Sequence, residues 1–118
     1  MDRMQDLECL FVRREVARGS APMILTFGDE ATEDLFRGSP SLALRRFPPA
    51  VLKTAARKLD MLDAAAELRD LLKPPGNRLH PLWGELQGQY AIRVNDQYRI
   101  VFRWAHGKAY DVTLCDYH

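Results

Sequence analysis

Tyr90-Ala91-Ile92-Arg93-Val94-Asn95-Asp96-Gln97-Tyr98-Arg99-Ile100-Val101-Phe102-Arg103-Trp104 is the stretch whose reading decides the fold. Two alternating runs flank Asn95-Asp96, a turn dipeptide, and the pattern predicts a β-hairpin. Side chains on a strand alternate between faces, so alternation also assigns sides. Ile92, Val94, Tyr98, Ile100, Phe102 and Trp104 fall on an inner face. Ala91, Arg93, Arg99, Val101 and Arg103 fall on the outer one. That outer face carries three arginines and no acid, with Asp111 on the following strand as the nearest counter-charge. A guanidinium is a planar fork of donors suited to phosphate. Open antiparallel sheets also wear polar side chains for solvation alone, so the arginine row by itself specifies no ligand.

Downstream, Ala105-His106-Gly107 reads as a turn and Lys108–Tyr117 as the last strand, with Val112 and Leu114 completing the inner face. Upstream the period is helical. Pro48-Pro49 opens a helix, proline being tolerated in the first turn. Its apolar stripe is Leu52, Ala55, Ala56, Leu59, Leu62 and Ala66. Leu68–Leu72 continues or restarts helix before Lys73-Pro74-Pro75-Gly76-Asn77 stops it. Asp29 is placed as N-cap of a shorter helix over Glu30–Arg37, with Gly38 past its end. Met23-Ile24-Leu25-Thr26-Phe27 reads as a first strand. The order is strand, two or three helices, then an antiparallel meander, which is an α+β fold.

The 118 residues suit one domain of about 100–200 residues. Hydrophobic residues make up 47%, enough for a core, which argues against global disorder. A formal net charge of +1 excludes a protein that coats nucleic acid through bulk charge. The charge is uneven, however: residues 45–80 carry eight bases against four acids, and residues 1–44 five bases against eight acids. This central block (Arg45, Arg46, Lys53, Arg57 and Lys58 lead it) fits either a local anionic partner or a solvated helix face. Two cysteines far apart argue for the reducing cytosol over a disulfide framework. No apolar run approaches the ~20 residues of a membrane span. Residues 1–22 read unlike the rest: a short amphipathic turn over Leu7–Val12 is broken at Gly19-Ser20-Ala21-Pro22. They are taken as an extension or mis-called start, with residues 23–118 as the functional domain.

Proton-transfer groups gather in two places. His80 lies in Arg78-Leu79-His80-Pro81-Leu82, and Asp116-Tyr117-His118 ends the chain. Imidazole titrates near ~6.5, so a histidine beside phosphate can give or take a proton at neutral pH. Metal-free RNA cleavage needs a base for the 2′-OH, a cation for the phosphorane oxygens, an acid for the leaving oxygen and a hold on the nucleotide. His80, His118 and Asp116 are the candidates for proton transfer, Arg99 for charge and Tyr117 for stacking or a hydroxyl contact. His80 beside Pro81 also suits a plain turn, and a terminal Asp-Tyr-His a frayed end. Among His80, His106, His118 and Cys115, only Cys115 and His118 stand at ligand spacing, so no metal or other cofactor is expected.

The stretches Leu72–Gly84 and Gly88–Trp104, with Asp116-Tyr117-His118, Phe47-Pro48-Pro49 and Met23–Phe27, resemble the HigB toxins, the killer branch of the RelE-like toxins. The resemblance covers residues 23–118. It implies a small antiparallel-dominated sheet with helices on one face, and a ribosome-dependent endoribonuclease that cuts mRNA in the A site without a metal. Its partners would be the ribosome, mRNA and a HigA-like helix-turn-helix antitoxin, with operator DNA reached only through the antitoxin complex. By position, His80, Arg99, Asp116, Tyr117 and His118 match the family's catalytic residues. Arg93, Arg103 and the Arg45–Lys58 block would contact RNA. Trp83 departs from the pattern by standing where relatives carry lysine, and its indole offers a stacking surface instead. Two other readings stay open on the same scaffold: a ParE-like toxin that poisons a DNA topoisomerase by binding, and an inactive antitoxin-binding module.

If strict alternation held to the chain end, Asp116 and His118 would point to the helix side. Sharing a face with the arginines would then require a bulge after Cys115.

Overall fold

The computed structural model describes residues 23–84 and 88–116. The expectations for residues 1–22 therefore lie outside it. Strands β1 (His80–Pro81), β2 (Gln89–Arg93), β3 (Tyr98–Ala105) and β4 (Lys108–Asp116) pair antiparallel in chain order. The β2–β3 turn is tied by Asn95, whose Oδ1 accepts the backbone N–H groups of Gln97 and Tyr98, each at 2.8 Å. This is the local side-chain turn that asparagine favours.

Helix α1 (Glu30–Arg37) begins where the capping signal placed it. Asp29 accepts the Thr32 N–H at 2.9 Å, and Gly38 closes the helix in the left-handed region that glycine enters freely. Helix α2 (Pro49–Ala64) starts at the Pro48-Pro49 step. Leu68–Leu72 forms a 3₁₀ turn instead of continued α-helix, and Pro75–Asn77 forms a second. The buried stripe of α2 is Val51, Ala55, Lys58, Leu59, Leu62 and Asp63. It differs from the expected stripe because two polar residues, Lys58 and Asp63, occupy core-facing positions and hide the true period. Ala66 lies beyond the helix end.

Both helices pack against the sheet, and the core joins Leu59, Leu62 and Leu71 to Ile92, Ile100, Phe102 and Val112. These side chains are fully buried, and each such burial is worth about 1.5–3 kcal/mol against exposure.

Met23–Phe27 makes two isolated parallel bridges to β4, Ile24 with Ala109 and Phe27 with Val112, where a continuous strand was expected. The break has a cause in β4. Val101 opposes Thr113 but Arg103 opposes Tyr110, so Asp111 and Val112 together face one residue of β3, a β-bulge. Asp111 takes φ 54°, a region aspartate tolerates better than most side chains. Its N–H turns out of the ladder to the Thr26 hydroxyl at 2.8 Å. Two polar anchors hold the flanking segments. Asp63 Oδ1 accepts the N–H groups of Met23 and Ile24, each at 3.1 Å, and buried Thr32 Oγ1 accepts the Leu114 N–H at 2.9 Å.

Candidate functional site

The register carries the outer face. Arg93 lies directly opposite Arg99, and His80 lies opposite Ala91, two residues from Arg93. Strand spacing of ~4.8 Å and rise of ~3.4 Å put the His80 and Arg93 Cα atoms about 8 Å apart on this face, and His80 and Arg99 about 12 Å. Like charges directly opposite on a sheet destabilise it, so the Arg93–Arg99 pair is a local cost built into the hairpin. Each guanidinium has partners. Arg93 Nη2 pairs with Asp96, a turn residue 98% exposed, and Arg99 Nη1 donates to the Asn95 carbonyl at 2.7 Å and the Tyr98 carbonyl at 3.2 Å. Arg103 stands apart, at the far end of β3 opposite Gln89 and Tyr110, and meets Asp111 at 3.5 Å as the expected counter-charge.

His80 is oriented by its own backbone. Its Nδ1 sits 2.8 Å from the Arg78 carbonyl oxygen. A carbonyl only accepts, so Nδ1 carries the proton and Nε2 keeps the lone pair, a tautomer assigned from the partner. Arg78 reaches that position in the left-handed region, φ 47° and ψ 49°. An imidazole whose Nδ1–H is held in this way is set to accept a proton at Nε2 or, once protonated, to return it.

Asp116 does not share the arginine face. The bulge falls at Asp111, ahead of the place where a reversal was needed, and alternation then runs through Val112, Leu114 and Asp116 in one phase. Asp116 pairs in register with Tyr98 and is exposed at the sheet's end, where Gln97 Nε2 donates to its carboxylate at 3.2 Å. The Arg99 guanidinium curls toward the same turn, at Asn95. Arg99 and Asp116 are thus each tied to the β2–β3 turn, one through Asn95 and the other through Gln97. Gln97 was missed as a site residue because a turn glutamine carries no sequence signal for the carboxylate it holds. Tyr117 and His118 lie outside the described residues.

The basic block divides. Arg45, Arg46, Lys53 and Arg57 are exposed. Arg46 lies 4.7 Å over the Phe47 ring and 3.8 Å from Asp29, and Phe47 packs edge-on against Tyr98 at 5.6 Å. Lys58 is no part of that surface. It is 6% exposed, and its ammonium donates to the Asn77 side chain, so the reading of Lys58 as an RNA contact is corrected by burial. Burial first, then Arg57 and Arg93, holds its pKa below the usual lysine value. Trp83, 74% exposed, offers a free indole face two residues past β1. Cys115, opposite Arg99, has its thiol pushed up by burial and then by Asp29, which makes it a poor nucleophile. Among the described residues, no three His, Cys, Asp or Glu side chains gather to hold a metal ion, and no helix is long and apolar enough to cross a membrane.

The family description "RelE-like toxin of type II toxin-antitoxin system HigB" matches residues 26–118. The chain belongs to this family. Toxin HigB-1 of Vibrio cholerae is 40% identical over 92 residues, covering 78% of this chain and 95% of the relative. Endoribonuclease HigB of Proteus vulgaris is 36% identical over 61 residues, covering 52% of this chain and 65% of the relative. Two solved structures share the fold of this HigB-family toxin. The YoeB dimer from Staphylococcus aureus has TM-score 0.54 at 21% identity, covering 83% of this chain and 99% of that one. The YoeB–YefM complex from the same organism has TM-score 0.53 at 16% identity, covering 80% and 97%.

Proposed function

We propose that this HigB-family toxin is a ribosome-dependent endoribonuclease that cuts mRNA at the A-site codon without a metal. The observation that carries the reading is the opposed Arg93–Arg99 pair with the oriented His80 on the same face. Two like charges opposed in register on a strand pair are an unfavourable arrangement, and a backbone phosphate is an anion that both guanidinium groups can bind. The name of the Proteus vulgaris relative, an endoribonuclease, supports the same chemistry.

In the proposed reaction the 2′-oxygen forms a bond to the adjacent phosphorus while the bond from phosphorus to the 5′-oxygen breaks. One proton leaves the 2′-OH and one arrives at the departing 5′-oxygen. The products are a 2′,3′-cyclic phosphate and a 5′-OH. His80 Nε2 and His118 are the proton carriers, with Asp116 supporting. Arg99 and Arg93 steady the phosphorane oxygens, and Tyr117 holds the nucleotide. An open sheet face grips a flexible strand from one side, and the ribosome supplies the in-line geometry. Arg45, Arg46, Lys53 and Arg57 then face ribosomal RNA, Arg103 extends the phosphate track, and Trp83 stacks on a base. Its inhibitor is a HigA-like helix-turn-helix antitoxin through which operator DNA is reached, and it acts in the cytoplasm. A YoeB structure solved with its partner YefM supports control by a bound antitoxin.

Toeprinting on translating ribosomes tests this reading, with chemical analysis of the RNA ends. A cut within the A-site codon, cyclic-phosphate ends, little cutting of free mRNA, and loss of cutting in His80→Gln and on removal of His118 are expected. Equal cutting of free mRNA, 3′-hydroxyl products, intact mRNA with a DNA-damage response, or no growth arrest on expression would each overturn it.

A further inference from the structure

Lys58 and Asn77 have no part in the proposed chemistry, and both are buried where a polar side chain is expensive. Asn77 is fully buried, and both ends of its amide are hydrogen-bonded. Its Oδ1 accepts from the Lys58 ammonium, and its Nδ2 donates to the carbonyls of Leu71 at 3.1 Å and Lys73 at 3.3 Å. Its backbone N–H closes the second 3₁₀ turn on the Pro74 carbonyl at 2.9 Å. The chain from Leu71 to Asn77 is thereby gathered around one side chain, and that side chain is pinned to α2.

The residues just past Asn77 support His80. Arg78 is left-handed, a conformation that is unfavourable for a non-glycine residue and persists only where its surroundings impose it. Its N–H bonds the Pro75 carbonyl at 3.0 Å, and its own carbonyl receives His80 Nδ1–H. The imidazole therefore stands at the end of an unbroken series: α2, Lys58, Asn77, the turn, the Arg78 carbonyl, His80. Packing alone does not call for this arrangement. A buried ammonium gives up its hydration, and an apolar side chain of the same length fills the space without that cost. A buried polar link of this kind is suited to specifying one geometry at the expense of stability.

We propose that Lys58 and Asn77 are positioning residues that fix the tautomer and direction of the His80 imidazole. The proposal rests on His80 being a proton carrier in RNA cleavage, and its first readout is independent of that role.

The experiment uses the full chain with Lys58→Met, Asn77→Asp and His80→Gln. Asn77→Asp keeps an acceptor for Lys58 but gives up the donors to Leu71 and Lys73, so it remains informative if Lys58→Met fails to fold. Nitrogen-15 spectra of the histidine rings report which His80 nitrogen carries the proton. In the parent protein Nδ1–H is expected to dominate. In either clamp variant it is expected to give way to mixed tautomers, with unchanged ribosome affinity and a cleavage rate down by about ten- to a hundredfold. A folded clamp variant that keeps the parent tautomer and rate overturns the proposal, as does a fall in rate that only tracks the folded fraction. If His80→Gln cleaves normally while the clamp variants still shift the tautomer, the clamp stands and the function assigned to His80 falls.

Discussion

Replacing Arg93 by glutamine is expected to separate function from stability. Arg93 faces Arg99 in register, and its other near cation is Lys58, whose pKa it helps to lower. Removing one of two opposed like charges relieves a repulsion of about 0.2–1 kcal/mol, the scale of cross-strand pairs. The substitution also removes the pairing with Asp96, a carboxylate 98% exposed, and exposed pairs contribute little. The two changes oppose each other, so Arg93→Gln should leave the unfolding free energy within about 0.5 kcal/mol of the parent. Cleavage should respond differently. A charge-assisted hydrogen bond to phosphate is worth about 1.5–3 kcal/mol, which converts to a loss of roughly 10- to 150-fold in rate. Urea unfolding and single-turnover cleavage on programmed ribosomes give the two numbers. An unchanged rate would remove Arg93 from the site. A rate that falls only in step with a loss of more than about 1 kcal/mol of stability would make it a structural residue and refute the reasoning.

Thr32→Val should cost about 1–3 kcal/mol by leaving the buried Leu114 N–H without its acceptor, and lower Tm by about 4–8 °C per kcal/mol. Thr32→Ser should keep most of that stability, and faster amide exchange at Leu114 in the valine variant alone checks the cause. Gly28→Ala should destabilise by about 1–3 kcal/mol, because its Cβ would stand 1.9 Å from Thr113 Oγ1 and 3.2 Å from the Asp111 carbonyl. A double variant with Thr113→Ala should recover part of the loss in a thermal melt. Lys58 gives a pH signature. Its pKa is lower folded than at its ordinary value of 10.5, so between the two the unfolded chain binds more protons and stability rises with pH. Unfolding midpoints of the parent, taken relative to Lys58→Met, should climb as pH approaches 10.5, and a flat difference would contradict the buried charge.

Local patterns were legible because they act over a few residues. The turn at Asn95, the cap at Asp29, the closing Gly38 and the two-residue period of β2 and β3 are each set by neighbours in the chain. They sufficed to place an α+β meander and an outer face bearing Arg93, Arg99 and Arg103, whereas the short strand that sets His80 opposite Ala91 was not legible, because its partner lies eleven residues on. Tertiary structure decided what depends on long separations. Asp111 leaves the ladder because Thr26 and Arg103 meet it there, and with the bulge at that point the alternation from Val112 to Asp116 runs on unbroken, so no reversal brings Asp116 to the arginine face. Lys58, one more base in a basic run, is withdrawn from the surface by Asn77, nineteen residues on. A side chain's charge is written in the sequence, but its exposure depends on which distant groups the fold brings against it.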